Sequence, residues 1–337
     1  MLVMTKGDFE KGSTKYRIAQ YADFLRTSGV NGINLDFVKR RDIDRSLIDR
    51  VRGYDTVFNQ RCLIRTSLAR KIIANSRRVI FDFDDAIYTR SGKPRSWLTS
   101  VRVRRRLHLW LRRANVVTTA NDFLAEYGRR YSSDVVIIPM AIDLDTWRHR
   151  GPDRRDTFTI GWAGSPVNVR HIERLEPVLS EVLATYPFIR LAIFSGRKPQ
   201  LSCPFEYYPF RPGEEPEFVR NLDIGLLPLS DEEYSMGKSP IKAIQYLACG
   251  VPVVGNVFGA TAEILNDNNS ICVSSKEDWI CALATLIKNR ELAESMGRAG
   301  REFVLKHHNA KLTAQRLLKI VSGDRDMAEN GTNQIDG

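Results

Sequence analysis

The stretch that decides the fold runs from Ser239 to Asn256 and reads Ser-Pro-Ile-Lys-Ala-Ile-Gln-Tyr-Leu-Ala-Cys-Gly-Val-Pro-Val-Val-Gly-Asn. Pro240 suits the first turn of a helix, where a missing N–H costs nothing. Gly250 suits the left-handed residue that ends a helix, and the valine-rich run after it is typical of a buried parallel strand. The stretch therefore predicts a helix and then a strand, with one apolar helical face made of Ala243, Ile244, Leu247 and Ala248.

Polar side chains cluster at the start of this predicted helix. Lys238, Lys242 and Gln245 follow one another at spacings of four and three residues, so we expect them to line one stripe. Two ammonium groups beside a helix N-terminus repel each other unless an anion such as a phosphate lies between them. The spacing therefore indicates a phosphate site, and a solvated cationic face is the alternative.

The run Gln-Tyr-Leu-Ala-Cys-Gly-Val-Pro-Val-Val resembles the donor-sugar helix of family 4 glycosyltransferases, which are retaining, nucleotide-sugar-dependent enzymes with the GT-B fold. Most of that family carries two glutamates on this helix, and they hold the sugar and ribose hydroxyls of the donor. Gly237 and Gln245 stand at the matching positions here. A sub-branch with the pattern Gly-Lys-x-x-x-Lys-x-x-Gln-Tyr is more similar, and the residues that match it are Gly237, Lys238, Lys242, Gln245 and Tyr246.

Length and composition narrow the class of protein. A chain of 337 residues with 43% hydrophobic residues usually forms two domains with substantial cores. No apolar run approaches the length of a membrane-spanning helix, and the first residues read as a strand rather than a signal peptide. The five cysteines are scattered and show no zinc-binding spacing, so we expect reduced thiols, a cytoplasmic location and no metal site.

The net charge of +11 is concentrated in one part of the chain. Between Arg77 and Arg113 there are 11 basic and 3 acidic residues, which indicates a local anionic partner. An apolar stripe from Val103 to Ala114 predicts that much of this block is a helix. The segment Arg102–Arg113 is then a solvated cationic face, a contact for anionic lipid headgroups, or a nucleic-acid surface; the last is disfavoured because no recognisable nucleic-acid module is present.

Alternation of short apolar runs with helical patterns predicts a first domain with a parallel sheet, over residues 1–150. Residues 149–157 are polar and contain Gly151, which favours a domain boundary. The predicted strands are Leu2–Thr5, Ile33–Val38, Thr56–Phe58, Val79–Phe83, Val116–Thr118 and Val135–Ile138.

The loop after the first strand is a candidate ligand loop. A helix capped by Ser13 or Thr14 is predicted to continue through Leu25, and the loop before it lies at the carboxyl end of the strand, where open parallel sheets bind ligands. Ser13 and Arg17 are therefore candidates for donor binding, as the resemblance also implies. A plain helix cap with exposed charges is the alternative.

Three carboxylates close a predicted strand, because Val79–Phe83 contains Asp82 and is followed by Asp84 and Asp85. Carboxylates at such a strand end act as metal ligands, bases or hydroxyl acceptors, and turn-forming aspartates are the common alternative. In the resembled family a similar Asp-Asp-Ala lies on the acceptor side. Asp84 and Asp85 are therefore candidates for binding the acceptor hydroxyl.

The second domain, over residues 157–306, is predicted to open with a strand and the loop Gly164-Ser165. A strand, a glycine-containing loop and a helix present backbone N–H groups to a phosphate, although a plain turn uses the same residues. The resemblance places this loop under the donor diphosphate and places Glu263, in a predicted helix from Gly259 to Leu265, beside the donor. A last helix, at 307–322, is expected to return to the first domain, and 323–337 are expected to be disordered.

Taken together, the residues and the resemblance imply an α/β protein of the GT-B class, with two Rossmann-like domains facing across a cleft. The implied activity is metal-independent transfer of a hexosyl or related group from a nucleotide sugar to a saccharide or lipid-linked acceptor, in polysaccharide or glycoconjugate synthesis. Lys238 and Lys242 would stabilise the leaving diphosphate, while Gln245 and Tyr246 would contact the donor. We expect no cofactor and no nucleic-acid partner. We do expect a peripheral contact with the inner membrane face.

Two other functions stay open at this point. The loss of the paired glutamates is compatible with a non-catalytic relative that binds a sugar nucleotide. The basic block is compatible with a nucleic-acid-binding protein.

Overall fold

The structure is a computed structural model that describes residues 1–9, 12–28, 32–90, 95–151, 157–230 and 232–323. The chain divides into two compact units. The first comprises Met1–Ala141, Met236–Ser239 and the chain from Ala310 onward, and the second comprises Ile142–Ser235 and Pro240–Asn309. The first unit therefore ends its main segment nine residues before the predicted bound of 150. It also takes in the segment Met236–Ser239, whose last residue opens the fold-deciding stretch.

The first unit is built on a six-stranded parallel sheet in the spatial order β2-β1-β3-β4-β5-β6. The order reverses between β1 and β3, and a parallel sheet presents its ligand crevice at the carboxyl ends of the strands on either side of such a reversal. The strands are β1 (Leu2–Thr5), β2 (Asp36–Lys39), β3 (Val57–Gln60), β4 (Val79–Phe83), β5 (Val116–Thr119) and β6 (Val135–Ile137).

Helices cover both faces of this sheet, as expected when the central strands β1, β3, β4 and β5 are buried. The helices of the first unit are α1 (Gly12–Arg17), α2 (Ala22–Thr27), α3 (Leu47–Arg50), α4 (Thr66–Asn75), α5 (Trp97–Arg113), α6 (Asp122–Arg129) and, from the end of the chain, α14 (Ala310–Ser322). The predicted first helix is interrupted, because a short 3-10 turn at Ala19–Tyr21 separates α1 from α2.

Successive residues of β1 enter opposite apolar layers. Leu2 packs in the cluster that contains Trp110 of α5, whereas Val3 packs in the cluster that contains Leu317 and Ile320 of α14. The period of two along a strand accounts for this alternation. The C-terminal helix therefore completes the core of the first unit. The predicted disordered tail lies, apart from Gly323, outside the described residues.

The second unit repeats the architecture with a six-stranded parallel sheet in the order β12-β11-β10-β7-β8-β9. Its order reverses between β7 and β10. The strands are β7 (Phe158–Gly164), β8 (Ile189–Ser195), β9 (Glu206–Pro209), β10 (Ile224–Leu227), β11 (Val253–Gly255) and β12 (Ser270–Cys272). The helices between and after them are α7 (Val169–Arg174), α8 (Glu176–Thr185), α9 (Glu215–Arg220), α10 (Glu233–Met236), α11 (Ile241–Ala248), α12 (Lys276–Lys288) and α13 (Arg290–His307).

The fold-deciding stretch forms the predicted helix and strand, α11 and β11. Gly250 has a φ of +75°, which confirms its predicted left-handed position after the helix. Pro240 lies one residue before the helix, as its N-cap, rather than inside the first turn. The prediction that Lys238 lies on the same helix as Lys242 is wrong, because the helix begins at Ile241.

Tyr246 is a core residue of the second unit, which corrects its predicted role in binding the donor. The side chain is 0% exposed, and its hydroxyl accepts a hydrogen bond of 2.8 Å from the backbone N–H of Ala163 in β7. Burial raises the pKa of the Tyr246 phenol, so the group stays neutral. The hydrogen bond from Ala163 to Tyr246 holds the carboxyl end of β7 in place. Tyr246 therefore influences the position of the Gly164-Ser165 loop through β7.

We predict that Tyr246→Phe destabilises the second unit by about 1–3 kcal/mol, because the buried N–H of Ala163 then has no acceptor. Thermal and urea unfolding measure the effect. Tyr208→Phe is the matched control, since the hydroxyl of Tyr208 donates to Glu206 at the surface and its loss is expected to cost less than about 0.5 kcal/mol. Equal effects of the two substitutions would contradict this account.

Candidate functional site

Arg17 is buried at the carboxyl ends of three strands of the first unit. Its Nε donates to both carboxylate oxygens of Asp82 at 3.2 Å, and its other donors reach the carbonyl oxygens of Ile138 and Thr119. The side chains of Arg17 and Asp82 are each only 1% exposed. This corrects the prediction that Arg17 faces a ligand: its guanidinium ties α1 to the ends of β4, β5 and β6.

Gln60 organises the loop after β1. Its Nε2 donates to the hydroxyl of Ser13 at 3.3 Å, and its Oε1 accepts from the hydroxyl of Thr14 at 3.2 Å and from the backbone N–H of Lys6 at 3.4 Å. Since β1 and β3 flank the reversal of strand order, these contacts lie where a ligand crevice is expected. Ser13 is half-buried there, and its role in donor binding stays a prediction.

Arg61 joins the two candidate acceptor carboxylates. Its Nη1 donates to Asp84 Oδ1 at 2.8 Å and also to Asp85 Oδ2. The backbone of Arg61 has a φ of +43°, a left-handed conformation that is costly for a residue with a side chain. Its N–H donates to the carbonyl oxygen of Asp82 at 2.9 Å, which holds that conformation. The strained backbone aims the guanidinium at the carboxylates.

Burial raises the pKa of the Asp84 carboxyl to about 6, and the neighbouring charges of Asp85 and Asp82 add to this while Arg61 opposes it. The side chain of Asp84 is 2% exposed. Asp85 is less buried, with 17% of its side chain exposed. The pair therefore combines a buried carboxyl whose pKa is raised with a second carboxyl that is more accessible.

The segment Met236–Ser239 belongs to the first unit and touches this cluster. The hydroxyl of Ser239 donates to the backbone oxygen of Asp84 at 3.0 Å, and Asn121 Nδ2 donates to the backbone oxygen of Gly237 at 3.3 Å. A Cβ on residue 237 would lie 2.9 Å from side-chain atoms of Leu124 and Phe123. The position that matches the first family glutamate therefore has no room for a side chain, and Lys238 follows it directly.

Lys242 forms an ion pair with Glu215 of α9 inside the second unit, with 27% and 16% of the two side chains exposed. The predicted cationic stripe is therefore reduced, because Lys238 lies outside α11 and Lys242 already has a carboxylate partner. Gln245, on the same helix, is 1% exposed. The roles of Lys238, Lys242 and Gln245 in donor binding stay predictions.

A pocket of about 280 Å³ lies at the carboxyl ends of β10, β11 and β12. Asn256 fixes its floor, because its Oδ1 accepts from the N–H of Leu229 at 3.0 Å and its Nδ2 donates to the oxygen of Val273 at 2.9 Å. The walls are apolar at Leu175, Val178 and Trp279. The other lining residues are His171, Arg174, Pro177, Pro228, Leu229, Ser230, Ser274, Ser275 and Lys276.

The Gly164-Ser165 loop follows β7, next to β10 at the strand reversal of the second sheet. Ser165 is exposed, and its carbonyl oxygen accepts from the N–H of Asn168 in a 3-10 turn that leads into α7. Glu263 is also exposed, in a turn after Gly259–Thr261, which is a single 3-10 turn rather than the predicted helix to Leu265. Their donor contacts stay predictions.

Within the described residues, no group of three or more His, Cys, Asp or Glu side chains is arranged to hold a metal ion. In the same part of the chain, no helix combines the length and apolar character that crossing a bilayer needs.

Sequence reasoning missed four residues that shape these sites: Gln60, Arg61, Glu215 and Asn256. Gln60 and Arg61 lie just after the predicted strand Thr56–Phe58, and their position at a carboxyl strand end was the available signal. Asn256 closes the fold-deciding stretch itself. Glu215 had no signal, because its partner is 27 residues away and the ion pair depends on the packing of α9 against α11.

Residues 181–319 match the family model described as glycosyl transferase-like. The first curated relative is TuaH of Bacillus subtilis (strain 168), whose name provisionally assigns it to glycosyl transfer in teichuronic acid biosynthesis. It is 34% identical over 56 residues, which span 17% of this chain and only 14% of that relative. The similarity to the glycosyl transferase-like family model therefore lies in the second half of the chain.

Solved structures confirm the predicted GT-B class. Sucrose-phosphate synthase from Thermosynechococcus elongatus superposes with a TM-score of 0.74 at 14% identity, covering 96% of this chain and 98% of that one. Anabaena HepE in complex with UDP-glucose gives 0.71 at 13% identity, covering 96% and 99%. A glycosyltransferase from Rickettsia africae ESF-5 gives 0.67 at 12% identity, covering 96% and 97%. At these identities the likeness establishes the fold.

We predict that Asp84→Asn gains stability relative to the wild type as the pH rises from about 4 to about 7. The folded state binds the Asp84 proton more tightly than the unfolded state, whose pKa is near the ordinary value of 3.8. The charge of Asp84 therefore costs nothing below about pH 4 and reaches its full cost, about 3 kcal/mol, above about pH 6. Unfolding at four pH values measures the difference between the two proteins.

The control for this prediction is Asp49→Asn, which removes an exposed carboxylate of the same unit. Its stability relative to the wild type should not vary over the same pH range by a comparable amount. A constant difference between Asp84→Asn and the wild type from pH 4 to 7 would show that Asp84 is an ordinary carboxylate.

Proposed function

We propose that the chain is a glycosyltransferase that moves a sugar from a nucleotide-sugar donor to a hydroxyl of a saccharide or lipid-linked acceptor. The observation that carries the proposal is the pocket of the second unit. The loops after β10, β11 and β12 that line it all lie inside the range 181–319, which matches the glycosyl transferase-like family model. A pocket at the carboxyl ends of parallel strands is the usual place for a nucleotide in such a sheet.

The pocket has the size and chemistry for one nucleoside. Its volume of about 280 Å³ lies just below the usual range for small-molecule sites, and its apolar walls suit a planar base. Arg174 and Lys276 line the pocket. Lys276 also pairs with Glu181 at 2.8 Å, so Arg174 is the cation that we assign to the phosphates. Anabaena HepE was solved with UDP and with UDP-glucose, so a uridine diphosphate sugar is the first donor to test.

The leaving diphosphate needs its developing negative charge stabilised. We assign this, within the second unit, to the backbone amides of Gly164 and Ser165 and to the ammonium group of Lys242, without a metal ion. The catalytic role of Lys238, which belongs to the first unit, stays a prediction. Lys242 pairs with Glu215 in the structure. A diphosphate, with more charge than one carboxylate, competes with Glu215 for that ammonium group.

The acceptor is assigned to the first unit. Asp84 and Asp85 lie at the carboxyl end of β4, and Asp85 keeps accessible surface for a sugar hydroxyl. Arg61 fixes both carboxylates, so a bound hydroxyl would meet a rigid pair of acceptors. Retention of anomeric configuration, a hexosyl donor and polysaccharide or glycoconjugate synthesis are proposed with this assignment, on the resemblance to family 4 enzymes.

A non-catalytic sugar-nucleotide-binding protein is the second candidate, and one observation favours it. Position 237 has no room for the glutamate that the resembled family carries there. Release of free nucleoside diphosphate after donor and acceptor are mixed would support the enzyme, whereas donor binding without any release would support the binding protein.

We predict that UDP raises the melting temperature of the protein more than GDP, ADP, CMP or dTDP do, because a ligand that binds only the folded state stabilises it. Arg174→Ala should weaken the UDP effect by removing a charge from the pocket rim. Arg298→Ala, an exposed arginine of α13 outside the pocket, is the matched control. If none of the five nucleotides raised the melting temperature, the pocket would not be a nucleotide site.

We predict that Lys242→Ala lowers turnover at least tenfold, which corresponds to about 1.4 kcal/mol of transition-state stabilisation. Glu215→Gln should keep turnover and strengthen donor binding, because it removes the competitor for the ammonium group. Release of nucleoside diphosphate measures both. If the ion pair is only structural, the two substitutions will lower the melting temperature alike and change turnover alike.

A further inference from the structure

A groove of about 540 Å³ lies between α4 and α5 on the first unit, and it differs from the sites described so far. Arg70 of α4 and Arg105, Arg112 and Arg113 of α5 line it. Its other lining residues are Thr66, Ile73, Ala74, His108 and Leu109, so none of the lining residues is acidic. The groove therefore concentrates four guanidinium groups.

No carboxylate neutralises these guanidinium groups among the described residues. Elsewhere on the same unit, some exposed arginines pair with nearby acids, as Arg52 does with Asp49 and Arg130 with Glu126. Burial lowers the pKa of His108, and the positive charges of Arg112 and Arg104 lower it further. The contribution of the two arginines indicates a positive electrostatic potential at the groove. Such a field attracts an anion that carries several oxygen atoms.

The first turn of α5 is apolar and exposed. Trp97 is 74% exposed, Leu98 is 64% exposed and Val101 is 37% exposed. The sequence has five tryptophans, and the other four are at most 5% exposed, so Trp97 is exceptional in this chain. An exposed tryptophan beside an exposed leucine gains free energy when it leaves water.

The apolar turn and the arginines lie on one side of the same helix. Trp97, Val101, Arg105 and Arg112 follow one another at spacings of four, four and seven residues, which keeps them on one stripe. One surface thus combines a tryptophan and a leucine with a row of arginines. Helices that lie in the interface of an anionic membrane have this combination.

We propose that α5 lies on an anionic phospholipid surface, with a lipid phosphate in the α4–α5 groove and with Trp97 and Leu98 inserted at the boundary between headgroups and acyl chains. A guanidinium group can donate two hydrogen bonds to two oxygens of one phosphate, whereas an ammonium group acts as a point charge. This difference accounts for the arginines rather than lysines in the groove. This proposal is independent of glycosyl transfer. If the acceptor is lipid-linked, this membrane contact would place the first unit beside it.

Nucleic acid is the weaker occupant. The arginines would bind the phosphates of a nucleic acid equally well. Base stacking, however, needs a platform of aromatic side chains, and the exposed tryptophan and leucine do not form one. Both occupants would bind less at high salt, so salt dependence alone does not separate them.

The test is flotation of the full chain with vesicles of phosphatidylcholine alone or with 30% phosphatidylglycerol, at about 0.15 M salt, combined with tryptophan emission. We expect at least tenfold tighter binding to the anionic vesicles, together with a blue shift and quenching by brominated acyl chains. Because Trp97 is the exposed tryptophan, these optical changes report its insertion.

Two double variants and a matched control separate the parts of the proposal. Arg105→Gln with Arg112→Gln should reduce anionic-vesicle binding at least tenfold, and Trp97→Ser with Leu98→Ser should abolish the blue shift and weaken binding. Arg45→Gln with Arg129→Gln removes the same charge from exposed positions elsewhere on the unit and should bind like the wild type.

Three results would overturn the proposal. One is equal binding to both vesicle types. Another is tight binding to duplex or single-stranded nucleic acid with no vesicle binding. The third is vesicle binding that Trp97→Ser with Leu98→Ser leaves unchanged, which would indicate a purely electrostatic surface for soluble polyanions.

Discussion

The buried ion pair between Arg17 and Asp82 is the interaction on which the candidate site of the first unit depends. Removing two charges from water is costly unless the pair is well aligned and its other hydrogen-bonding groups are satisfied. Here the carbonyl oxygens of Ile138 and Thr119 accept from the guanidinium group, and the hydroxyl of Thr118 donates to Asp82 at 2.7 Å. One arginine thus joins four chain segments at the carboxyl edge of the sheet. It also fixes α1, the helix into which the loop after β1 leads.

That constraint carries over to the acceptor carboxylates. Asp82 is held by Arg17, so its backbone carbonyl is fixed, and this carbonyl accepts the N–H of Arg61. The left-handed backbone of Arg61 then directs its guanidinium group to Asp84 and Asp85. Two arginines and three aspartates therefore form one connected network. A buried network of this kind is rigid when all its members are satisfied, which suits a site that must orient a hydroxyl.

The sequence predicted the α/β class, the parallel sheets and the helix–strand pair around Gly250, because apolar periodicity and glycine positions are local signals. It placed Asp84 and Asp85 at a strand end for the same reason. It misjudged Arg17 and Tyr246, since a polar side chain at helical spacing looks the same in sequence whether it meets a ligand or a buried partner. The partners of these two, Asp82 and Ala163, lie 65 and 83 residues away and are brought close only by the fold.

One of the two departures from the paired-glutamate pattern, Gly237, has a physical cause in the structure. At position 237 the neighbouring side chains of Leu124 and Phe123 leave space only for glycine. The chain there turns into the first unit, where Ser239 contacts the backbone of Asp84, so the segment serves the carboxylate network. Lys242, in the first turn of α11, forms an ion pair with Glu215. A donor site built on these residues must therefore use the ammonium group of Lys242, which already has Glu215 as its carboxylate partner. A bound diphosphate would have to displace Glu215 from that ammonium group. This displacement would distinguish the chain from relatives with two glutamates.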